Sequence, residues 1–195
     1  MDYLSYYCDY EIKGTGTDRS IKGFGSFFGN VDAAGDIVAK GAFKDSIAKA
    51  QSGKSQWPVM LLQHSSSDVI GVWDSMEETD DGLLVQGRLA NTKLGSDTYE
   101  LLKLKPRPAF SGLSIGYRVL DSENHKSGPA RRTIKAADLV EVSLVTFPAN
   151  TKARITSVKA APEAVPAKPY TLADMVRDDW AMLCRTMNAN NRDWR

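Results

Sequence analysis

The chain has 195 residues, enough for one domain with a sizeable core and a short appendage. Hydrophobic residues make up 42% and charged residues 25%, which excludes a collagen-like or wholly disordered chain. A formal net charge of +1 gives no global pull toward nucleic acid or an anionic membrane, and no apolar run reaches the roughly 18 residues of a membrane span.

The start, MDYLSYYCDYEIKG, has acids and no basic n-region, so no signal peptide is expected. Cys8 and Cys184 fit no metal spacing, and their small number suits a reduced, intracellular protein. No metal and no cofactor are expected.

In chain order, residues 21–28 read as a glycine-containing strand and residues 30–35 as a turn. GAFKDSIAKAQSG reads as a short helix, with Phe43 and Ile47 one turn apart and Gly53 near its end. Residues 59–63 and 69–73 are apolar strand runs, ETDDG is a tight turn, and residues 83–89 are the return strand. Asn91 is placed to cap a helix over TKLGSDTYELLKLK, which Pro106 ends. AFSGLSIGYRV follows. The polar stretch DSENHKSGPARRT reads as a loop, and DLVEVSLVTFPAN as a strand buried on both faces. KAAPEAVPAKP reads as an extended linker. The resulting division is a β-rich domain over residues 1–158, a linker over 159–169 and a helical tail over 170–195, with Thr171 as its cap.

Side chains alternate along a strand, so Leu113, Ile115, Tyr117 and Val119 share the core face with Ser111. Gly112, Ser114, Gly116 and Arg118 take the other face. Two glycines beside a hydroxyl leave room for another backbone, such as a peptide substrate, to approach Ser114. Read from alternation alone, a bulge with a solvent-facing serine is the favoured account.

A serine nucleophile needs a base, and the chain has two histidines. His64 ends an apolar strand before SSSD, at a strand-to-loop edge, whereas His125 lies in the charged stretch. Glu141 is the one charge in LVEVSLV, and a buried carboxylate needs a partner. His64 would suit it, as would a structural Arg or Lys. Asp68 and Asp138 are weaker candidates for the same role. Phosphate-loop and zincin motifs are absent, and NVDAAGD lacks the remaining ligands of a calcium loop.

DAAGDIVAKGAF, PVMLLQH, GLLVQGRL, SGLSIGYRV and EVSLVTFPANTKARI, in that order, resemble the prohead maturation serine proteases of tailed bacteriophages, over about residues 21–155. The resemblance implies a fold related to herpesvirus assembly proteases: a closed, mostly antiparallel β-barrel surrounded by a few helices. It implies a serine endopeptidase with the chain order His64, Ser114, Glu141, and it selects Ser114 over Ser111. The herpesvirus enzymes have a second histidine as third member, and here the matching strand carries Glu141. The loop after that strand supplies oxyanion candidates, Asn150 and Arg154, with Gly112 and Gly116 flanking the serine. The implied substrates are the scaffolding segment of the major capsid protein, a scaffold protein, or the protease itself, inside the prohead in the host cytoplasm. A homo-oligomer is an analogy with the herpesvirus dimers. A non-catalytic head-assembly protein on the same barrel is the alternative. A barrel that binds nucleic acid is a third reading, which the near-neutral charge disfavours.

Overall fold

The computed structural model describes residues 11–12 and 19–159. The helical tail and both cysteines lie outside the described residues, as does the linker beyond Lys159. Among the described residues the elements are β1 (Glu11–Ile12), β2 (Ser20–Phe27), β3 (Asp36–Val38), α1 (Lys44–Gln51), β4 (Val59–Leu62), β5 (Ser65–Glu78), β6 (Gly82–Leu89), α2 (Lys93–Lys103), β7 (Gly112–Asn124), β8 (Arg132–Val145) and β9 (Ile155–Val158).

The strands form one mixed, mostly antiparallel sheet in the order β1-β9-β2-β6-β5-β4-β8-β3, with β7 paired to β8. The closed barrel expected from the sequence is not formed. The long strand β8 holds β7 along one edge, while β4 and β3 share the other edge at different heights. Outside that ladder, β7 meets a single bridge, Gly112 to Arg154. Two backbone bonds flank the bridge, Leu113 N to Ala153 O at 3.0 Å and Ile155 N to Ser111 O at 2.8 Å. Closure needs a continuous ladder there, and among the described residues the pairing stops at this bridge and its two flanking bonds.

The core follows the alternation of the strands. Ile21, Met60, Ile70, Met76, Leu83, Val85, Leu113, Val142 and Leu144 are fully buried in one cluster. Helix α1 contributes Phe43 and Ile47, the pair expected one turn apart. It is tied to β8 by Leu139 N donating to Ser46 Oγ at 2.9 Å. Helix α2 starts one residue later than expected. Thr92, not Asn91, is the cap, and its hydroxyl accepts Gly95 N–H at 3.1 Å. Tyr99 and Leu102 bury its inner face.

Residues 36–38, which the sequence left unassigned, form β3. Two stretches read as loop are strand instead: SSSD opens β5, and DSENHKSGPARRT contributes to a β7–β8 hairpin. In that hairpin His125 N donates to Arg131 O at 2.9 Å, so the segment is paired backbone rather than a free loop. The strands here are exposed and polar, and apolar patterning is blind to such pairing.

Candidate active site

Strand β4 runs parallel to β8, with Leu61 opposite Ser143 and Leu62 opposite Leu144. It turns into β5 through Gln63 and His64 alone, since Leu62 already pairs with Ser65. Both turn residues have positive φ, 54° and 60°. A two-residue hairpin turn of this sign matches the twist of the strands, but it favours Asn and Gly. Two side-chain-bearing residues in the left-handed region store strain, which the surroundings must hold in place.

The end of β8 holds it. Gln63 N donates to Leu144 O at 2.9 Å, Gln63 Nε2 donates to Thr146 Oγ1 at 2.8 Å, and Thr146 N returns to Gln63 Oε1 at 3.3 Å. His64 N donates to Ser143 Oγ at 3.2 Å. The turn therefore aims the imidazole back along β8.

There it meets Glu141. His64 Nδ1 lies 2.7 Å from Glu141 Oε1. The carboxylate is 7% exposed, and its other oxygen, Oε2, accepts the Ser143 hydroxyl at 2.5 Å. The buried charge that the sequence left in search of a partner thus has two. Asp68 and Asp138 make no hydrogen bond or ion pair with His64 among the described residues. His125 bonds Thr133 Oγ1 at 2.8 Å in the distal hairpin.

Strand β7 brings Ser114 to the same face. In the β7–β8 register Ser114 lies opposite Ser143 and Gly116 opposite Glu141. Directly paired residues share a face, so Ser114, Ser143 and Glu141 line one side of the ladder. One step beyond, Tyr117 pairs with Leu139, leaving Val140 as an extra residue in β8. Such a bulge beside a site turns the neighbouring side chain. Ser114 is 6% exposed, and its hydroxyl makes no hydrogen bond among the described residues.

The flanking glycines do a different job from the one read in the sequence. The space beside Gly116 holds the Glu141 carboxylate: a Cβ there would sit 2.9 Å from Cγ and 3.0 Å from Cδ. The space beside Gly112 holds the Val145 carbonyl and the ring of Pro148. These glycines admit the protein's own groups rather than an incoming backbone.

Asn150 is buried and fully engaged. Its Nδ2 donates to Phe27 O at 3.0 Å and Asn30 Oδ1 at 3.2 Å, while its Oδ1 accepts Lys152 N at 3.2 Å. No amide hydrogen remains for an oxyanion, and Asn150 is a clamp between the end of β2 and the segment before β9. Arg154 differs. Its backbone pairs with Gly112, two residues from the serine, and its guanidinium has no ion-pair partner among the described residues. Phe147 is 84% exposed. It stands between Thr146, which Gln63 holds, and Pro148, which packs over Gly112.

Sequence reasoning missed Ser143 and Gln63. A signal for Ser143 was present, since in EVSLV it lies two residues from Glu141 and so on the same face. Among the described residues there is no cluster of three or more metal-ligating side chains, and no helix is long and apolar enough to cross a membrane.

A serine on the same ladder face as a carboxylate that holds an imidazole provides the three residue types that acyl-transfer hydrolases use. The sequence profile of the caudovirus prohead serine proteases matches residues 8–167, and the chain belongs to that family. The prohead protease of enterobacteria phage HK97 is 33% identical over 154 residues, which are 77% of this chain. The chain spans 65% of that relative's length. Among solved structures, the capsid assembly protease of bacteriophage T4 aligns with a TM-score of 0.54 at 11% identity, over 70% of this chain and 93% of that one. That likeness is one of fold. KSHV protease, in complex with a hexapeptide phosphonate inhibitor, aligns at 0.49 and 11% identity over 86% of this chain and 77% of that one.

Proposed function

We propose that this chain is a serine endopeptidase of capsid maturation, with Ser114 as nucleophile, His64 as general base and Glu141 as the group that orients the base. The observation that carries the reading is the 2.7 Å contact between His64 Nδ1 and Glu141 Oε1, on the ladder face that bears Ser114. An ionised carboxylate only accepts hydrogen bonds, so beside it Nδ1 carries the proton and Nε2 keeps a lone pair. Nε2 takes the Ser114 proton as Oγ attacks the peptide carbonyl, and the imidazolium then gives that proton to the leaving amine. Water repeats the cycle in reverse and frees the serine. The negative charge of the tetrahedral intermediate needs fixed donors. Arg154 is the side-chain candidate, because it adjoins Gly112 and its guanidinium has no ion-pair partner among the described residues.

Membership of the family supports the substrate: the scaffolding segment of the major capsid protein, or a separate scaffold protein, cut inside the prohead, with the protease itself a further target. The test is co-expression with the capsid protein, followed by mass spectrometry. Wild type is expected to shorten the capsid protein, and Ser114→Ala to leave it whole while melting at the wild-type temperature. Equal cleavage by Ser114→Ala removes the mechanism. No cleavage by either, with both proteins assembled into shells, favours a non-catalytic head-assembly role.

A further inference from the structure

We propose that Ser143 is a positioning residue that locks the Glu141 carboxylate and the His64 turn into one arrangement, a role that rests on the reading of His64, Ser114 and Glu141 above. Ser143 is fully buried and lies directly opposite Ser114. Its hydroxyl is spent at both ends. The hydrogen goes to Glu141 Oε2 at 2.5 Å, and the oxygen accepts His64 N–H at 3.2 Å.

Each bond has a separate consequence. With Oε2 held by Ser143, Oε1 is the oxygen left to meet His64 Nδ1, and rotation of the carboxylate would break a charge-assisted bond. With the His64 N–H held as well, the left-handed turn is fixed to the same atom that fixes the carboxylate. His64 is thus gripped twice from β8: at its ring through Glu141 and at its backbone through Ser143. A serine that only filled space would need neither bond. Alanine at 143 would keep the volume within one atom and leave two groups without this partner: a buried carboxylate oxygen and a main-chain N–H.

The experiment compares wild type, Ser143→Ala and Ser143→Thr by their rate of covalent labelling with a fluorophosphonate, whose phosphorus the activated serine attacks with loss of fluoride and which needs no known cleavage site. Ser143→Ala is expected to label about 10- to 100-fold more slowly, the scale of one hydrogen bond to a charged group, and to fold as wild type does. Ser143→Thr, which keeps the hydroxyl, is expected to recover most of that rate. In parallel, the Nδ1–H proton resonance of His64 is followed in Ser114→Ala and in Ser114→Ala/Ser143→Ala. It is expected to be sharp in the first and broadened or lost in the second. Labelling of Ser143→Ala at the wild-type rate overturns the proposal. If wild type itself is not labelled on Ser114, the catalytic reading fails, and the resonance alone decides whether Ser143 holds the pair. If Ser143→Thr does not fold, the alanine variant and the resonance decide, and an unchanged resonance overturns the proposal.

Discussion

Gly116 and Glu141 face each other across the β7–β8 ladder, and the carboxylate of one fills the space that a side chain on the other would need. The glycine of the SIG motif is therefore a requirement of the charge rather than of the serine. A Cβ at 116 would stand 2.9 Å from Glu141 Cγ and closer still to Oε1. A flexible side-chain end can usually move away, but this one is held by His64 and Ser143. Gly116→Ala is thus expected to push the carboxylate off His64. Fluorophosphonate labelling should fall at least about tenfold, with a stability loss in the range of overpacking, about 1–3 kcal/mol. Full labelling by a stable Gly116→Ala would show that Glu141 is free to move.

Gln63 offers a second way to loosen the same histidine without entering the buried site. Its side chain reaches Thr146 from the exposed side of the turn. Gln63→Ala removes both side-chain bonds and keeps the backbone bond to Leu144. The stability change should stay below about 1 kcal/mol, because the position is exposed. Labelling should nevertheless slow several-fold, since His64 shares the strained turn. A rate equal to wild type would mean that the backbone and Ser143 bonds hold the turn unaided.

How much of this was legible follows from what each signal measures. Apolar alternation located β2, β4, β6 and the inner half of β8, and it put Ser114 and Glu141 on strands. It also gave the right parity from Leu113 to Tyr117, which is the part of β7 that packs on the core. It failed where strands are exposed on both faces, as in residues 118–124, because pairing there leaves no apolar trace. The Gln63–His64 turn was hidden for another reason. Neither residue type signals positive φ, and only the bonds from Leu144, Thr146 and Ser143 make the turn tolerable. The role of Gly116 was misread because alternation tells which way a residue faces, not what faces it.

A buried and a partly buried tryptophan separate a satisfied donor from an orphaned one. Trp73 Nε1 donates to Val142 O at 3.2 Å, next to Glu141 and Ser143 on β8. Trp57 Nε1 is buried without a partner among the described residues. Trp73→Phe strands a buried carbonyl lone pair and shrinks a packed ring, and should cost about 1–3 kcal/mol. Trp57→Phe removes an unsatisfied donor, which offsets the lost packing, and should fall within about 1 kcal/mol of wild type. Chemical denaturation of the two variants checks the order, and a greater loss for Trp57→Phe would reverse the assignment.

Acid should unfold the far end of the site-bearing hairpin through Asp36. This carboxylate is buried at the start of β3. It accepts two bonds from Arg132, at 3.0 and 2.8 Å, and one from Arg131 at 3.0 Å. Burial alone would push its pKa up, but the hydrogen bonds and charges of Arg132 and then Arg131 outweigh that and hold it below the ordinary aspartate value. A carboxylate whose pKa is lowered in the fold contributes its full stability above the unfolded value, about 3.9. That contribution is lost as pH falls below this value and through the lowered one, because the unfolded chain binds the proton first. Asp36→Asn should therefore cost about 2–4 kcal/mol at neutral pH, by leaving two guanidinium groups without their anion. It should also flatten the fall in stability below about pH 4 relative to wild type. Denaturation midpoints measured from pH 7 down to pH 3 test both. A variant whose stability falls with acid as steeply as wild type would place the acid sensitivity elsewhere.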